Sequence, residues 1–279
     1  MNVLDHNIEN RIQNEIIPAL LQGNYPGAAE GIAAALDELY ANIPDDKRIS
    51  YGIVHTIKVL SECLFTHLEQ ADAPVYESAA NLFEKSRDGP PNDGGRRCKG
   101  VALGILSFYG VEDYPKVLPY FEAAAASEDW NLREFAQMFF RRLIKKYPAE
   151  MKEFLLRLAD SADANTRRFV GETLRPVQEN AWFYNDPEYP LSVLRRMFRE
   201  PRPYPRTSVG NNLSDLARRL PELVYGLVAE LVASGDKNSY WIAYRACRNL
   251  VKKDPQRVMD LLGIEEYRYK KAVYRSEND

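Results

Sequence analysis

Residues 206–221 read RTSVGNNLSDLARRLP. Val209, Leu213, Leu216, Ala217 and Leu220 recur at helical spacing, so the stretch is one amphipathic helix. Its other face carries Asn211, Asn212 and Asp215. Asparagine is a poor helix former, and a plain solvated face would use Glu, Lys or Gln. The stretch alone fits a solvated face or a functional one. The frame around it decides the fold. KKYP at 145–148, RRLP at 218–221 and KKDP at 252–255 each put a basic pair and a proline at a helix end. The proline stops the helix, and the basic pair suits its C-terminal dipole. Pro148 and Pro221 are 73 residues apart, and Pro221 and Pro255 are 34 apart. The same register lines up Arg133 with Arg206 and leaves Arg167 between them. A period of about 36 with only helical signals predicts an all-α, curved solenoid of HEAT-like helical repeats with no sheet.

The chain has 279 residues, 45% of them hydrophobic and 28% charged, which is the balance of an ordinary globular protein rather than a disordered one. The expected organisation is one solenoid domain over 1–279. Acidic N-terminal helices occupy 1–112, the repeats 113–265 and a tail 266–279. No run of 18 apolar residues exists, so no membrane span is predicted. The polar, acidic start is not that of a signal peptide. Cys63, Cys98 and Cys247 are far apart and show no metal spacing. Three reduced thiols in helices suit the cytoplasm.

The net charge of −3 hides an asymmetry. Residues 1–129 hold 10 Lys+Arg against 20 Asp+Glu, and residues 130–279 hold 27 against 20. The basic half coincides with the clearest repeats, which suggests a local polyanion site. Incidental drift of charge along a chain is the bland alternative.

Helices are expected over 7–42, 51–71 and 74–85. His55 and His67 lie twelve apart on one of them, too far for a helical metal pair, and read as packing or surface residues. SRDGPPNDGGRRCKG (86–100) reads as a loop. VALGILSFYG (101–110) and VLPYFEAAAAS (117–127) read as helices. No GxxxxGK[ST], GxSxG, HExxH or paired-cysteine motif occurs, and strand alternation is missing, which argues against most hydrolase, zincin and dinucleotide-binding readings. In the second half a short polar turn separates two helices in each frame. Stacking then places Arg133, Arg167 and Arg206 near the starts of successive second helices, where arginines and helix N-termini together suit phosphates.

WNLREFAQMF, TRRFVGETLRP, a linker bearing Trp182 and SVGNNLSDLARRLP follow one another in this order. With VALGILSFYG, they resemble the HEAT-like-repeat alkylpurine DNA glycosylases, the AlkC/AlkD superfamily, and the order and spacing lie closer to the AlkC branch. The likeness covers most of residues 100–265 and is most specific at NNLSD and RRFVGETLRP. It departs from the family in VQENAW, two residues longer than the usual turn, in GET for SEG, and in Gly210 for Ala. Some members carry an extra immunoglobulin-like domain, for which the 14 residues after Glu265 leave no room.

The resemblance implies a monofunctional glycosylase hydrolysing the N-glycosidic bond of cationic alkylated bases such as 3-methyladenine. Its partner would be double-stranded DNA, and it would work as a monomer, without cofactor or metal, at the nucleoid when bound. Carried over residue by residue, Glu134, Trp182 and Asp215 line the lesion site. Asp215 and Glu134 are the catalytic candidates. Trp182, Asn211, Asn212 and Trp130 are the lesion-face candidates. Arg133, Arg167, Arg168, Arg175, Arg206, Arg245 and Arg248 are the phosphate candidates.

The chemistry agrees. An N3- or N7-alkylated purine is already cationic and leaves without being protonated. Carboxylates oppose the developing oxocarbenium charge and aim a water, and a Trp face attracts a cationic base. Each residue also has a plain structural reading. Glu134 suits the first turn of a helix. Trp182 can plug the edge of the solenoid. Trp130 and Trp241 can simply pack. A non-catalytic HEAT-repeat scaffold for nucleic acid or protein therefore stays open, the more so because some superfamily members bind DNA without detectable repair.

Overall fold

The prolines that punctuate the sequence mark helix starts in the computed structural model, which describes residues 3–86, 94–269 and 272–275. Each opens a helix, but only Pro148 closely follows one. The helices before Pro221 and Pro255 end at Leu216 and Ala246, so the basic pairs before those prolines lie in turns beyond the helices rather than at their ends as expected. Pro148, Pro221 and Pro255 sit in the first helical turn, where a missing N–H leaves nothing unpaired. The chain divides into two compact units, Met1–Lys146 and Tyr147–Asp279.

In the first unit α1 (His6–Arg11) continues through a π-helical turn, Ile12–Ile16, into α2 (Ile17–Leu21). Then follow α3 (Tyr25–Ala41), α4 (Arg48–Gln70), α5 (Val75–Lys85), α6 (Gly94–Tyr109), α7 (Tyr114–Ala126) and α8 (Trp130–Lys146). The expected loop over 86–100 is thus helical from Gly94, and residues 87–93 of it lie outside the described residues. Helix α6 lies between α4 and α8 at close range. A Cβ on Gly104 would stand 2.2 Å from Ser61 Oγ and 2.7 Å from Phe139 Cζ. Ser61 has little room to give, because its buried hydroxyl donates to Ile57 O at 2.7 Å. Gly104→Ala is therefore expected to lower stability by about 1–3 kcal/mol through overpacking, read as a lower midpoint in urea.

The second unit runs α9 (Pro148–Ala159), α10 (Ala164–Thr173), a 3₁₀ segment Gln178–Tyr184, α11 (Glu188–Leu194), α12 (Pro203–Leu216), α13 (Pro221–Ala233), α14 (Lys237–Ala246) and α15 (Pro255–Leu262). Contacts repeat at the period of the sequence. Arg195 reaches Glu230, Arg257 reaches Glu222 and Asn249 reaches Ser214, each 35 residues away. Equivalent helices therefore stack side by side, with α12 between α10 and α14. Val209, Leu213 and Leu216 are fully buried and Ala217 nearly so, as the helical spacing predicts. The all-α, repeat-built fold class holds. One detail differs. β1 (Glu266–Tyr269) and β2 (Ala272–Arg275) pair as an antiparallel hairpin where the sequence reading has a tail and no sheet.

The turn between paired helices is itself a repeat. Ser127, Ser161 and Ser234 accept the backbone N–H of Asp129, Asp163 and Asp236 at 3.1, 3.2 and 3.3 Å. Those aspartates in turn accept N–H groups of the helix start: Asn131 N at 3.0 Å, Thr166 N at 2.6 Å and Ser239 N at 2.8 Å. This is side-chain capping of a helix N-terminus, repeated. In the remaining frame Glu200 replaces the serine and accepts from Arg202 N at 2.9 Å, while Arg202 stands where the aspartate would cap.

Candidate functional site

Three parallel stripes form the polar face of α10, α12 and α14. Arg168, Glu172 and Arg175 follow one another at helical spacing on α10 and just beyond it. Ser208, Asn212 and Asp215 do so on α12, and Trp241, Arg245 and Arg248 on α14 and just beyond it. The helices approach closely because glycine stands at the crossing points. A Cβ on Gly171 would lie 2.9 Å from Ser208 Cβ, and one on Gly210 would lie 2.6 Å from Arg245 Cβ. That closeness accounts for the asparagines. Asn212 is fully buried and donates from Nδ2 to Gly171 O at 3.1 Å. Asn211 Oδ1 accepts from Arg245 Nε at 2.9 Å. Both bridge helices, and Asn212 is not part of an open face.

Asp215 is 5% exposed. Its Oδ2 accepts from Arg175 Nε at 2.9 Å and Nη2 at 2.6 Å. Its Oδ1 lies 3.3 Å from Arg218 Nη2 and 3.8 Å from Arg248 Nη2. Glu172, missed by the sequence reading, accepts from Ser208 Oγ at 2.7 Å and from Arg175 Nη1 at 3.2 Å, with Arg168 at 4.0 Å. Four guanidiniums thus surround two carboxylates, which leaves a cationic surplus beside Asp215. Burial opposes the charge on Arg175, but Glu172 and Asp215 outweigh it and raise its pKa further.

Cations and rings alternate beside this cluster. The Arg206 guanidinium lies 4.8 Å from the Trp241 ring, and Arg245 6.0 Å from Trp241 and 5.5 Å from Tyr269. Arg248 lies 5.3 Å from Tyr269 and donates to its hydroxyl at 3.0 Å. Arg168 lies 4.4 Å from the ring of the exposed Tyr204. Tyr269 belongs to the hairpin, so no helical periodicity could assign it to this surface. Arg206 also donates to Asn238 Oδ1 at 2.5 Å.

Other expected residues are placed differently. Arg167 grips Glu200 with Nε at 2.6 Å and Nη2 at 2.9 Å, and donates to Ser161 O at 2.8 Å. Arg133 is buried and donates to Ser127 O at 2.5 Å. Both guanidiniums are engaged in the turns. The sequence pairs Glu134 with Asp215. Glu134 stands on α8 in the first unit, where it accepts from Gln137, whereas Asp215 is in the second. Trp130 is 61% exposed at the start of α8, so it is not a core residue. Trp182 is half-buried against Phe183 and Tyr189, with centroids at 4.5 and 4.9 Å. Its linker is pinned by the buried Asn180, which donates to Thr173 O at 2.8 Å and Arg175 O at 3.1 Å.

Among the described residues no group of three or more His, Cys, Asp or Glu side chains is arranged to hold a metal ion, and no helix is long and apolar enough to cross a membrane. The three cysteines are free, and burial pushes the Cys247 thiol up to about 12.

The second unit is thus a helical repeat with a cationic, aromatic-lined face around one buried aspartate. The fold is shared with solved helical proteins. It is similar to AlkD2 from Streptococcus mutans, with a TM-score of 0.55 and 16% identity over 76% of this chain and 98% of that one. It is also similar to the Pseudomonas fluorescens alkylpurine DNA glycosylase AlkC bound to DNA containing an abasic site analog. There the TM-score is 0.53 and the identity 20%, over 93% of this chain and 66% of that one. No family model matches the chain. The uncharacterized protein YhaZ of Bacillus subtilis (strain 168) is 27% identical over 173 residues. These are 60% of this chain and 47% of that protein, so the chain spans about half the length of this curated relative.

Proposed function

We propose that this chain is a DNA glycosylase that hydrolyses the N-glycosidic bond of cationic alkylpurines in duplex DNA. The observation that carries the reading is Asp215, a nearly buried carboxylate inside a ring of arginines, on a fold shared with a DNA-bound alkylpurine glycosylase. A carboxylate so placed opposes the positive charge that develops on the sugar as the base departs, and orients the attacking water. Arg175 holds Oδ2, which leaves Oδ1 as the oxygen for that work. Arg206, Arg245 and Arg248 receive backbone phosphates, with the rings of Trp241 and Tyr269 beside them. Trp182 supports the linker behind the site and offers its exposed part to the lesion.

One substrate limit follows from the residues present. The histidines lie in the first unit, two of them on α4, and the Asp215 cluster contains no group suited to protonate a leaving base. The reaction then serves bases that leave already cationic. Duplexes carrying single lesions are expected to lose 3-methyladenine, with 7-methylguanine a slower substrate, and to retain uracil and 8-oxoguanine. The product is an abasic site in an intact strand, detected by cleavage only after alkali. Efficient uracil release, or strand scission without alkali, would contradict the mechanism.

A second reading has its own observation. The Arg175–Asp215 pair joins α10 to α12, so Asp215 also serves as packing between repeats. In a non-catalytic scaffold this is its whole role. Duplex binding with every lesion left in place would support the scaffold.

A further inference from the structure

One heptad recurs at or just beyond the ends of the second helices. RLIKKYP closes α8 at 142–148, DLARRLP spans 215–221, and NLVKKDP spans 249–255. The first residue of the heptad is Arg142, Asp215 or Asn249. Asp215 meets Arg175, and Asn249 donates to Ser214 O at 2.8 Å. Each thus contacts the neighbouring repeat. Arg142 holds the same place in its heptad, inside the last turns of α8, and is satisfied differently.

In the first unit Phe65 of α4, Phe108 of α6 and Arg142 of α8 stand in a row, all half-buried. Phe65 and Phe108 stack with centroids 5.0 Å apart and planes 19° apart. The Arg142 guanidinium carbon lies 3.4 Å from the Phe108 centroid. Among the described residues Arg142 forms no ion pair and no hydrogen bond, and its Nε is buried without a partner. That sets it apart from Arg11, Arg48 and Arg97 of the same unit, each of which meets a carboxylate. Burial lowers the pKa of Arg142. The carboxylate of Glu62 opposes the shift from beyond ion-pair distance and does not cancel it. A half-buried cation with no anion is unfavourable unless something outside the fold completes it. Stacking on a ring also pre-orders the planar guanidinium and leaves its N–H edges for in-plane hydrogen bonds, the geometry that accepts a phosphate.

We propose that Arg142, set on the Phe65–Phe108 stack, is an anion site that takes a backbone phosphate of the duplex, so that the acidic first unit also contacts nucleic acid. This rests on the nucleic-acid part of the reading above and adds a contact that its basic half does not supply. Phe108 fixes the cation, and an incoming phosphate diester provides the missing charge. Conversely, in the free protein burial opposes the charge of Arg142.

The test uses the full chain and an undamaged duplex. Affinity is measured over a range of KCl concentrations for wild type, Arg142→Gln and Arg142→Lys, with a thermal melt of each. Loss of one phosphate contact flattens the slope of log K against log salt by about 0.9. Arg142→Gln is expected to show that flattening and weaker binding to all sequences, with a melting temperature unchanged or raised. Arg142→Lys keeps the slope, because it keeps the charge. An unchanged slope and affinity in Arg142→Gln overturn the proposal, as does a marked fall in its melting temperature, which would reveal a partner inside the fold. Inorganic phosphate is tested separately in the melt. Phosphate stabilisation that depends on Arg142, with an unchanged duplex slope, assigns the site to a free anion and also overturns the duplex contact. Wild type that binds no duplex sinks the proposal outright. Wild type that binds duplex but releases no lesion leaves the slope readable, so this contact and the glycosylase reading fail separately.

Discussion

Asp215→Asn is expected to lower excision of 3-methyladenine by about 10²–10³-fold while the fold and duplex affinity stay in place. Asparagine has the same shape and still accepts from Arg175 through its side-chain oxygen. What it lacks is the negative charge, the property that an oxocarbenium-like sugar requires. Its removal also leaves four guanidiniums facing the carboxylate of Glu172 alone, so DNA affinity is held or increased rather than lost. Single-turnover release of the methylated base, with anisotropy on the same duplex, separates the two effects. Full activity in this variant would reduce Asp215 to a packing residue between α10 and α12.

Glu200→Ala is expected to cost about 3–5 kcal/mol of stability, the usual result of breaking a buried ion pair from one side. Glu200 is 4% exposed and takes both arms of Arg167 while also holding Arg202 N. Nothing else in that turn can replace it, because the serine and aspartate of the other frames are absent there. Glu230→Ala is the internal comparison. The Arg195–Glu230 pair is exposed on both sides, and its loss is expected to cost about 0–1 kcal/mol. Urea unfolding of the two variants measures the difference. Similar small losses would show that Arg167 is not held by Glu200 in solution and is free for another partner.

These two residues also show what the sequence could reveal. The basic pairs and prolines set the repeat register because each acts locally where one helix gives way to the next. Asp215 was conspicuous because a carboxylate beside two asparagines is unusual on an amphipathic helix. Hydrophobic spacing, however, sorts residues only into apolar and polar, and so places Asn212 on an outer face. Its burial follows from Gly171, whose missing side chain brings a backbone carbonyl within reach on the neighbouring helix. The engagement of Arg133 and Arg167 was likewise hidden. The sequence shows an arginine near a helix start, and only the folded turn shows the carbonyl or carboxylate waiting there. The serine–aspartate spacing of those turns is present at 127, 161 and 234, but two small polar residues mark a turn less sharply than a proline does. In the hairpin each strand has four residues, too few for alternation to register against a helical background.

That hairpin changes what the last described helices pack against. A row of like helices can in principle keep growing, because its last member offers the same apolar side that every earlier member used. Here Tyr267 is fully buried, stacks on Tyr244 at 4.4 Å and donates to Tyr244 O at 2.8 Å. Tyr244 returns a bond to Arg268 O at 2.8 Å. The two tyrosines tie the hairpin to α14. The described part of the hairpin thus covers α14 and α15 with strands, where the other second helices of this unit meet helices.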